Sequence, residues 1–346
     1  MDKSFKAWRV PLRRRPAWLF ILLAFGIILF LVLYFIMSGL AAPEPGSERT
    51  VVFQVTPGAT AGGIAQDLAE ERLIRNQALF VALARYRGVQ NSLQAGEYLL
   101  GPSMSANDIL TRLVRGAVMT YPVTIPEGYT VEEIAARLAA EGICGKEEFL
   151  AAARQSDLIS YLPAEADLID PLEGYLFPDT YHFLRDMDPN QVLQVMWERF
   201  EAAFKAEYVA RAEEIGLTIH ETVTLASIVE KEVMTDSERP LVAAVYHNRL
   251  RIGMKLDADP TLKYALEDRN RPLYHSDKEM DSPYNTYRRA GLPPGPICSP
   301  GEASLVAALY PADVPYLYFV SRNDGTHDFS ETYAEHLIKV NRYQPG

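Results

Sequence analysis

The sequence predicts an α+β protein in which a single membrane-spanning helix precedes a small α/β module and a larger, mainly helical α+β domain. Three observations carry this. Residues 17–37 form an uninterrupted apolar run. Behind it, one strand–turn–helix pattern occurs twice at an offset of 70 residues. From residue 146 onward, helical periodicity dominates up to a long Gly/Pro-rich loop at Asp281–Gly301. With 346 residues, 48% hydrophobic and 23% charged, the chain is long enough for more than one core and is not a disordered composition.

The net charge of −11 is unevenly spread. Residues 1–16 carry Lys3, Lys6, Arg9, Arg13, Arg14 and Arg15 against Asp2, a local +5, which leaves −16 for the remainder. So acidic a body argues against nucleic acid as a partner. The basic tail leads into Ala17–Met37, a stretch without a charged residue. At about 1.5 Å per residue it spans about 30 Å, the thickness of a bilayer's hydrocarbon. A cleaved signal peptide is the alternative, and Leu40-Ala41-Ala42 offers small residues for it, but signal cores run to only about 15 residues. A retained single-pass anchor in the cytoplasmic membrane is therefore expected. Its N-terminus is placed in the cytoplasm by the flanking Lys/Arg, and everything after a linker at residues 38–49 lies outside.

The module assigned to residues 50–145 contains the near-repeat. Pro57–Ile74 aligns with Glu127–Cys144, pairing Gly58 with Gly128, Thr60 with Thr130, Ile64 with Ile134 and Leu68 with Leu138. Each copy opens on alternating apolar residues (Val51, Phe53, Val55; Tyr121, Val123, Ile125), as a half-buried strand does. A glycine turn follows, then a threonine at an N-cap position; Thr130 and Glu133 together make a capping box. A third helix start, Ser105–Asp108, lies between the copies. Units of this kind resemble LysM modules, which bind N-acetylglucosamine-containing glycans; a plain spacer fits the same pattern.

Residues 146–346 form the second predicted domain. Helical stretches there include Gln191–Ile215, closed by Gly216, and Arg239–Ile252, closed by Gly253. Tyr316–Val320 reads as a core strand and Thr332–Tyr343 as a closing helix. Cys144 and Cys298 are too few and too isolated for a disulfide framework, and two free thiols are expected. No metal or cofactor is expected.

His220–Met234, HETVTLASIVEKEVM, reads as a helix apolar on nearly all sides and hence buried. Helical spacing surrounds Glu230 with Val223, Ala226, Ser227, Val233 and Met234. A carboxyl among small and apolar groups is poorly solvated, which favours the protonated form that a general acid needs. Spacing alone leaves two alternatives: Glu232 is the acid, or both glutamates are structural and pair with Lys231, Arg239 or Arg249. The loop at Asp281–Gly301 offers Tyr284 and Tyr287 as flat faces for sugar rings, with Asn285 and Thr286 as hydrogen-bonding groups. Asn248, at the end of the preceding helix, is a further substrate-binding candidate. A proline-stiffened surface loop is the structural alternative.

Several spaced blocks, ASIVEKE (Ala226–Glu232), HNRLRIGMKL, DADPTLKYAL, YNTYRRAGLPPGPI, EGYLFPDTY (Glu173–Tyr181) and YLYFV with HDFS after it, resemble the MltG-type (YceG-like) endolytic murein transglycosylases. The resemblance covers nearly the whole chain beyond the membrane helix. It implies a lytic cut of the β-1,4 bond between N-acetylmuramic acid and N-acetylglucosamine within peptidoglycan strands, and it places the catalytic glutamate on Glu230. It also implies a 1,6-anhydro product, an end to strand elongation, and peptidoglycan synthases as protein partners. Cys298 departs from the family pattern, where a small non-thiol residue is expected. No second acid stands out from spacing beyond Asp179, Asp257 and Asp259, read as structural or substrate-orienting. A hydrolytic muramidase and a non-catalytic wall-binding scaffold remain the rivals.

Overall fold

The computed structural model describes residues 17–162, 167–266, 268–269 and 271–344. The basic tail of residues 1–16 lies outside the described residues. Helix α1 (Ala17–Leu40) starts with the predicted span and runs three residues further. Its stretch Ile21–Leu40 is long and apolar enough to cross a membrane and buries none of its length in the protein.

The remaining chain forms two compact units that divide at Met119/Thr120. In the first, β1 (Val51–Val55), α2 (Ala61–Glu70), α3 (Gln77–Tyr86) and β2 (Gly96–Leu100) are followed by α4 (Ala106–Arg115). The strands β1 and β2 pair antiparallel, Phe53 opposite Tyr98. Phe53, Val55, Ile64, Leu68, Phe80, Tyr98 and Leu110 form its core. Thr60 caps α2 by accepting the Gly63 N–H, and Ser105 with Asp108 closes a capping box on α4, as the sequence predicts.

The second unit opens with β3 (Tyr121–Thr124), α5 (Val131–Ala140), α6 (Lys146–Gln155) and β4 (Thr180–Phe183). The strands β3 and β4 again pair antiparallel, Val123 opposite Tyr181. The repeat is thus a β–α–α–β plan present twice, and its second copy belongs to the second unit rather than to a module ending at residue 145. Pairing with β4 is the reason: the strand that completes the copy arrives only at Thr180, and Val123, Ile134 and Leu138 share a core with Tyr181, Val223 and Leu305.

Beyond β4 come α7 (Pro189–Ala203), α8 (Ala206–Glu214), α9 (Ile219–Glu232), α10 (Arg239–Arg251), α11 (Asp259–Tyr264), α12 (Glu302–Leu309), β5 (Tyr318–Ser321), β6 (His327–Ser330) and α13 (Tyr333–Tyr343). The predicted helix over 191–215 is broken in two. Phe204 leaves helical conformation at ψ 77°, stacks on Phe200 at a centroid distance of 5.6 Å and meets Tyr208 edge to face at 5.9 Å. Burial of an aromatic ring outweighs the one or two helical hydrogen bonds lost. The expected core strand at Tyr316–Val320 is instead a short hairpin strand, β5, paired with β6, in which only Val320 is buried. Both cysteines are free thiols.

Candidate active site

Helix α9 starts at Thr218, whose hydroxyl accepts the Glu221 N–H while the Glu221 carboxylate accepts the Thr218 N–H. Its buried hydroxyls return hydrogen bonds to the helix itself. Thr222 donates to Thr218 O, Thr224 to His220 O and Ser227 to Thr224 O, at 2.7–2.9 Å. Polar side chains therefore enter the core without an unmet donor. Ser227 Oγ also accepts the Ile297 N–H at 3.0 Å, and so fastens the long loop to α9.

That loop in turn grips the turn before α5. Gly128 N–H donates to Ser299 O and Ser299 N–H to Tyr129 O, each at 2.8 Å. Lys231 Nζ donates to Gly128 O at 3.0 Å from the α9 side. Gly128 holds φ +78°, and a Cβ there would lie 3.8 Å from Glu230 Cγ. The turn is thus seated directly against the predicted catalytic glutamate.

Glu230 lies near the C-terminal end of α9 on the wall of a cavity of about 1070 Å³. Its side chain is 8% exposed. The carboxylate is not surrounded by apolar groups alone, contrary to what helical spacing suggests: Met234 is exposed, and polar donors close around both oxygens. Oε1 meets Arg239 Nη2 at 3.3 Å. Oε2 accepts the Gly301 N–H at 3.1 Å and the Ser304 hydroxyl at 2.7 Å. Gly301 and Ser304 belong to the start of α12, whose positive dipole end favours an anion. Arg239, the first residue of α10, also donates from Nε to Ser304 Oγ at 2.9 Å and pairs with Asp236. Of the three cations considered as partners, Arg239 is the one the fold delivers.

Glu232 also lines the cavity. Burial pushes its carboxyl up to about 7, against the lowering effect of the Tyr246 hydroxyl, which donates to it at 2.8 Å. Away from this cavity and fully buried, Glu173 accepts the Val131 N–H at 3.1 Å and the Tyr264 hydroxyl at 2.9 Å. Burial first, and then Asp170, push Glu173 up to about 8.

The five candidate substrate residues do not line this cavity. Tyr284, Asn285 and Thr286 are buried, so they have no face to offer a sugar. Asn285 spends its amide on Lys278 O and Met280 O, at 3.0 and 2.7 Å, and Thr286 Oγ1 accepts the Ala258 N–H at 3.0 Å. Tyr287 is half-buried, donates to Asp259 and has Lys278 Nζ over its ring at 4.2 Å. Asn248 donates to Val314 O and Tyr316 O, at 2.8 and 2.9 Å, tying α10 to the chain before β5. Asp179 is paired with Arg199 at 2.6 Å, and Asp257 lies 3.9 Å from Arg249. Of the three aspartates, only Asp259 lines the cavity.

Two residues at the site escaped sequence reasoning. Ser304 carried no signal beyond its position one turn into a helix. Glu127 did carry one: it opens the second copy of the repeat where the first copy has Pro57, and in the fold it reaches the cavity beside Glu230.

Comparison with known proteins matches the YceG-like family model over residues 53–342. The chain belongs to the YceG-like family. A Bacillus subtilis relative named endolytic murein transglycosylase is 32% identical over 314 residues, which span 87% of this chain and 86% of that protein. One of the same name from Streptococcus pneumoniae is 29% identical over 341 residues, spanning 88% of this chain and 61% of the longer relative. The crystal structure of a yceG-like protein from Listeria monocytogenes matches at a TM-score of 0.59 and 32% identity, covering 85% of this chain and all of that one. The family match includes both copies of the repeat, so the Glu127 turn and the Glu230 helix are parts of one family fold.

Proposed function

We propose that this chain is a membrane-tethered lytic transglycosylase that cuts within peptidoglycan glycan strands, with Glu230 as acid and then as base. One observation carries the reading: in a family whose relatives are named endolytic murein transglycosylase, a glutamate is held on the cavity wall by three donors. Glu230 protonates the glycosidic oxygen of the departing N-acetylglucosamine as the bond to the muramoyl anomeric carbon breaks. Arg239, Ser304 and the Gly301 N–H hold the carboxylate that results. The muramoyl 6-hydroxyl then attacks the anomeric carbon, its proton returns to Glu230, and a 1,6-anhydro ring closes. An internal nucleophile is already near its target, so no water needs activating. Cutting a growing strand ends its elongation.

Mass spectrometry of digested glycan strands tests this. Wild type is expected to release 1,6-anhydro ends and Glu230→Gln nothing; reducing ends heavier by one water mean a hydrolase, and binding without cleavage means a scaffold. A second reading gives the proton donor's part to Glu232, on the strength of a carboxyl pushed up to about 7 at the same cavity. Glu232→Gln separates the two. If Glu232 only anchors Tyr246, activity falls less than about tenfold; if cleavage ceases in Glu232→Gln and survives in Glu230→Gln, the donor is Glu232.

The same reading places the N-terminus in the cytoplasm and both units outside, supported by the Lys/Arg of residues 1–16 ahead of α1. Protease protection in spheroplasts, where both units should be cleaved from outside, tests it. It also gives the first unit LysM-like glycan binding, supported by its β–α–α–β order with antiparallel strands. Sedimentation with purified peptidoglycan tests that.

A further inference from the structure

We propose that Glu127 is a second catalytic carboxylate, which faces the substrate beside Glu230 and stabilises the positive charge that grows on the cleaved sugar. The inference rests on the transglycosylase reading.

Both carboxylates converge on Gly301. Its N–H donates to Glu230 Oε2 at 3.1 Å, while the space its missing Cβ leaves is taken by the Glu127 carboxylate. The next residue, Gly128, is fixed at both its backbone groups, its N–H by Ser299 O and its carbonyl by Lys231 Nζ. Glu127 is therefore delivered by a rigid backbone rather than by a loose loop. Yet the side chain itself is exposed to the cavity, and its carboxylate takes part in no hydrogen bond among the described residues. The carboxylate thus lies open to the cavity beside a second carboxylate, Glu230, where like charges repel, and positive charge growing on a bound sugar would relieve that repulsion.

The chemistry supplies the use. Glycoside cleavage passes through an oxocarbenium-like transition state, with positive charge on the anomeric carbon and ring oxygen. A fixed anion beside that charge, in a site closed to water by the strand, stabilises the transition state more than the neutral substrate. Glu127 forms no bond and moves no proton. The proton leaves Glu230 for the glycosidic oxygen and comes back from the 6-hydroxyl, while Glu127 stays ionised throughout. The charged groups that act on Glu127 are Glu230, Asp236 and Arg239, and Lys231 lies beside its backbone. Burial first, and then Glu230, hold its carboxyl above the usual range, so its ionisation should contribute an acid limb to the rate profile.

The test uses the full chain in detergent micelles with uncrosslinked glycan strands. Wild type, Glu127→Gln, Glu127→Asp and Glu230→Gln are compared by kcat, KM, pH profile and product mass. Glu127→Gln is expected to fold with an unchanged melting temperature and to lose about 100-fold or more in kcat, with KM within about threefold. Its remaining products should still be anhydro ends, and the acid limb should shift. Glu127→Asp, which keeps the charge, should recover at least about tenfold over Glu127→Gln. A Glu127→Gln kcat within about threefold of wild type, or a loss carried by KM alone, overturns the proposal and leaves the transglycosylase reading standing. A wild-type chain that forms no anhydro ends overturns that reading instead.

Discussion

The two copies of the β–α–α–β plan share their local chemistry and differ in what surrounds it. Gly58 and Gly128 sit at φ +81° and +78°, and in each copy a threonine two residues later caps the helix. A Cβ at Gly58 would meet nothing within 4 Å, whereas one at Gly128 would touch Lys231 and Glu230. The first turn begins with Pro57 and is closed by Thr60 alone. The second begins with Glu127, gains a full capping box from Glu133, and has the first N–H of its helix bound by the buried Glu173. One plan thus encloses its own core in the first unit and supplies one wall of the candidate active site in the second. Nothing in the backbone of the turn had to change for that; side chains and neighbours did.

The sharpest way to break the second environment without touching the turn is Arg239→Ala. Arg239 is buried and serves Glu230, Ser304 and Asp236 at once. Removing one partner of a buried ion pair leaves an uncompensated charge, at a cost of about 3 kcal/mol, and frees the Glu230 carboxylate to rotate. Denaturant unfolding should show the loss, and cleavage should fall at least about 100-fold. Arg239→Lys keeps the charge but lacks the fork that reaches three acceptors, so it should recover stability better than activity.

Glu173 distinguishes the copies by pH. Its folded-state value of about 8 lies above the ordinary 4.5, so between these limits the folded chain binds more protons than the unfolded one. Stability of the second unit should therefore be fully present below about 4.5 and decline as pH rises towards about 8, by on the order of a few kcal/mol. Glu173→Gln, which can still accept from Val131 and bond Tyr264, should flatten the decline in thermal melts from pH 5 to 8. A dependence that survives the substitution assigns it to another group, with Glu232, pushed up to about 7, the next to replace.

How far these differences could be read in advance depended on range. Capping residues at Thr60, Ser105 and Thr130 act on N–H groups three positions away, and each was legible. The pairing of β3 with β4 was not, because nothing in Tyr121–Thr124 specifies a partner strand starting at Thr180. At the site, Glu230 emerged from helical spacing joined to the family blocks, whereas its environment misread as apolar because Arg239, Gly301 and Ser304 come from other helices. The aromatic and amide residues of the Asp281–Gly301 loop misled for a different reason. The groups that suit a sugar, an amide such as Asn285 or a hydroxyl such as Thr286, are also those an irregular loop needs to satisfy its own backbone. Residue type could not separate these uses; burial does.

The smallest predicted effect is the most direct comparison of the copies. Gly58→Ala and Gly128→Ala each force a Cβ into left-handed backbone, at a cost of about 1 kcal/mol of stability in either unit. That shared term makes Gly58→Ala the control for Gly128→Ala. At Gly128 the added methyl also falls 3.7 Å from Lys231 Cδ and 3.8 Å from Glu230 Cγ. These are ordinary contact distances, so the methyl itself fits. The strain, however, is relieved by moving the turn, and the turn carries the Glu127 carboxylate beside Glu230. Activity should then drop about tenfold in Gly128→Ala and stay near wild type in Gly58→Ala, at matched loss of melting temperature. Equal activity in the two variants would mean that the turn's seat against α9 supports the fold alone, and that placement of Glu127 tolerates backbone movement a catalytic carboxylate should not.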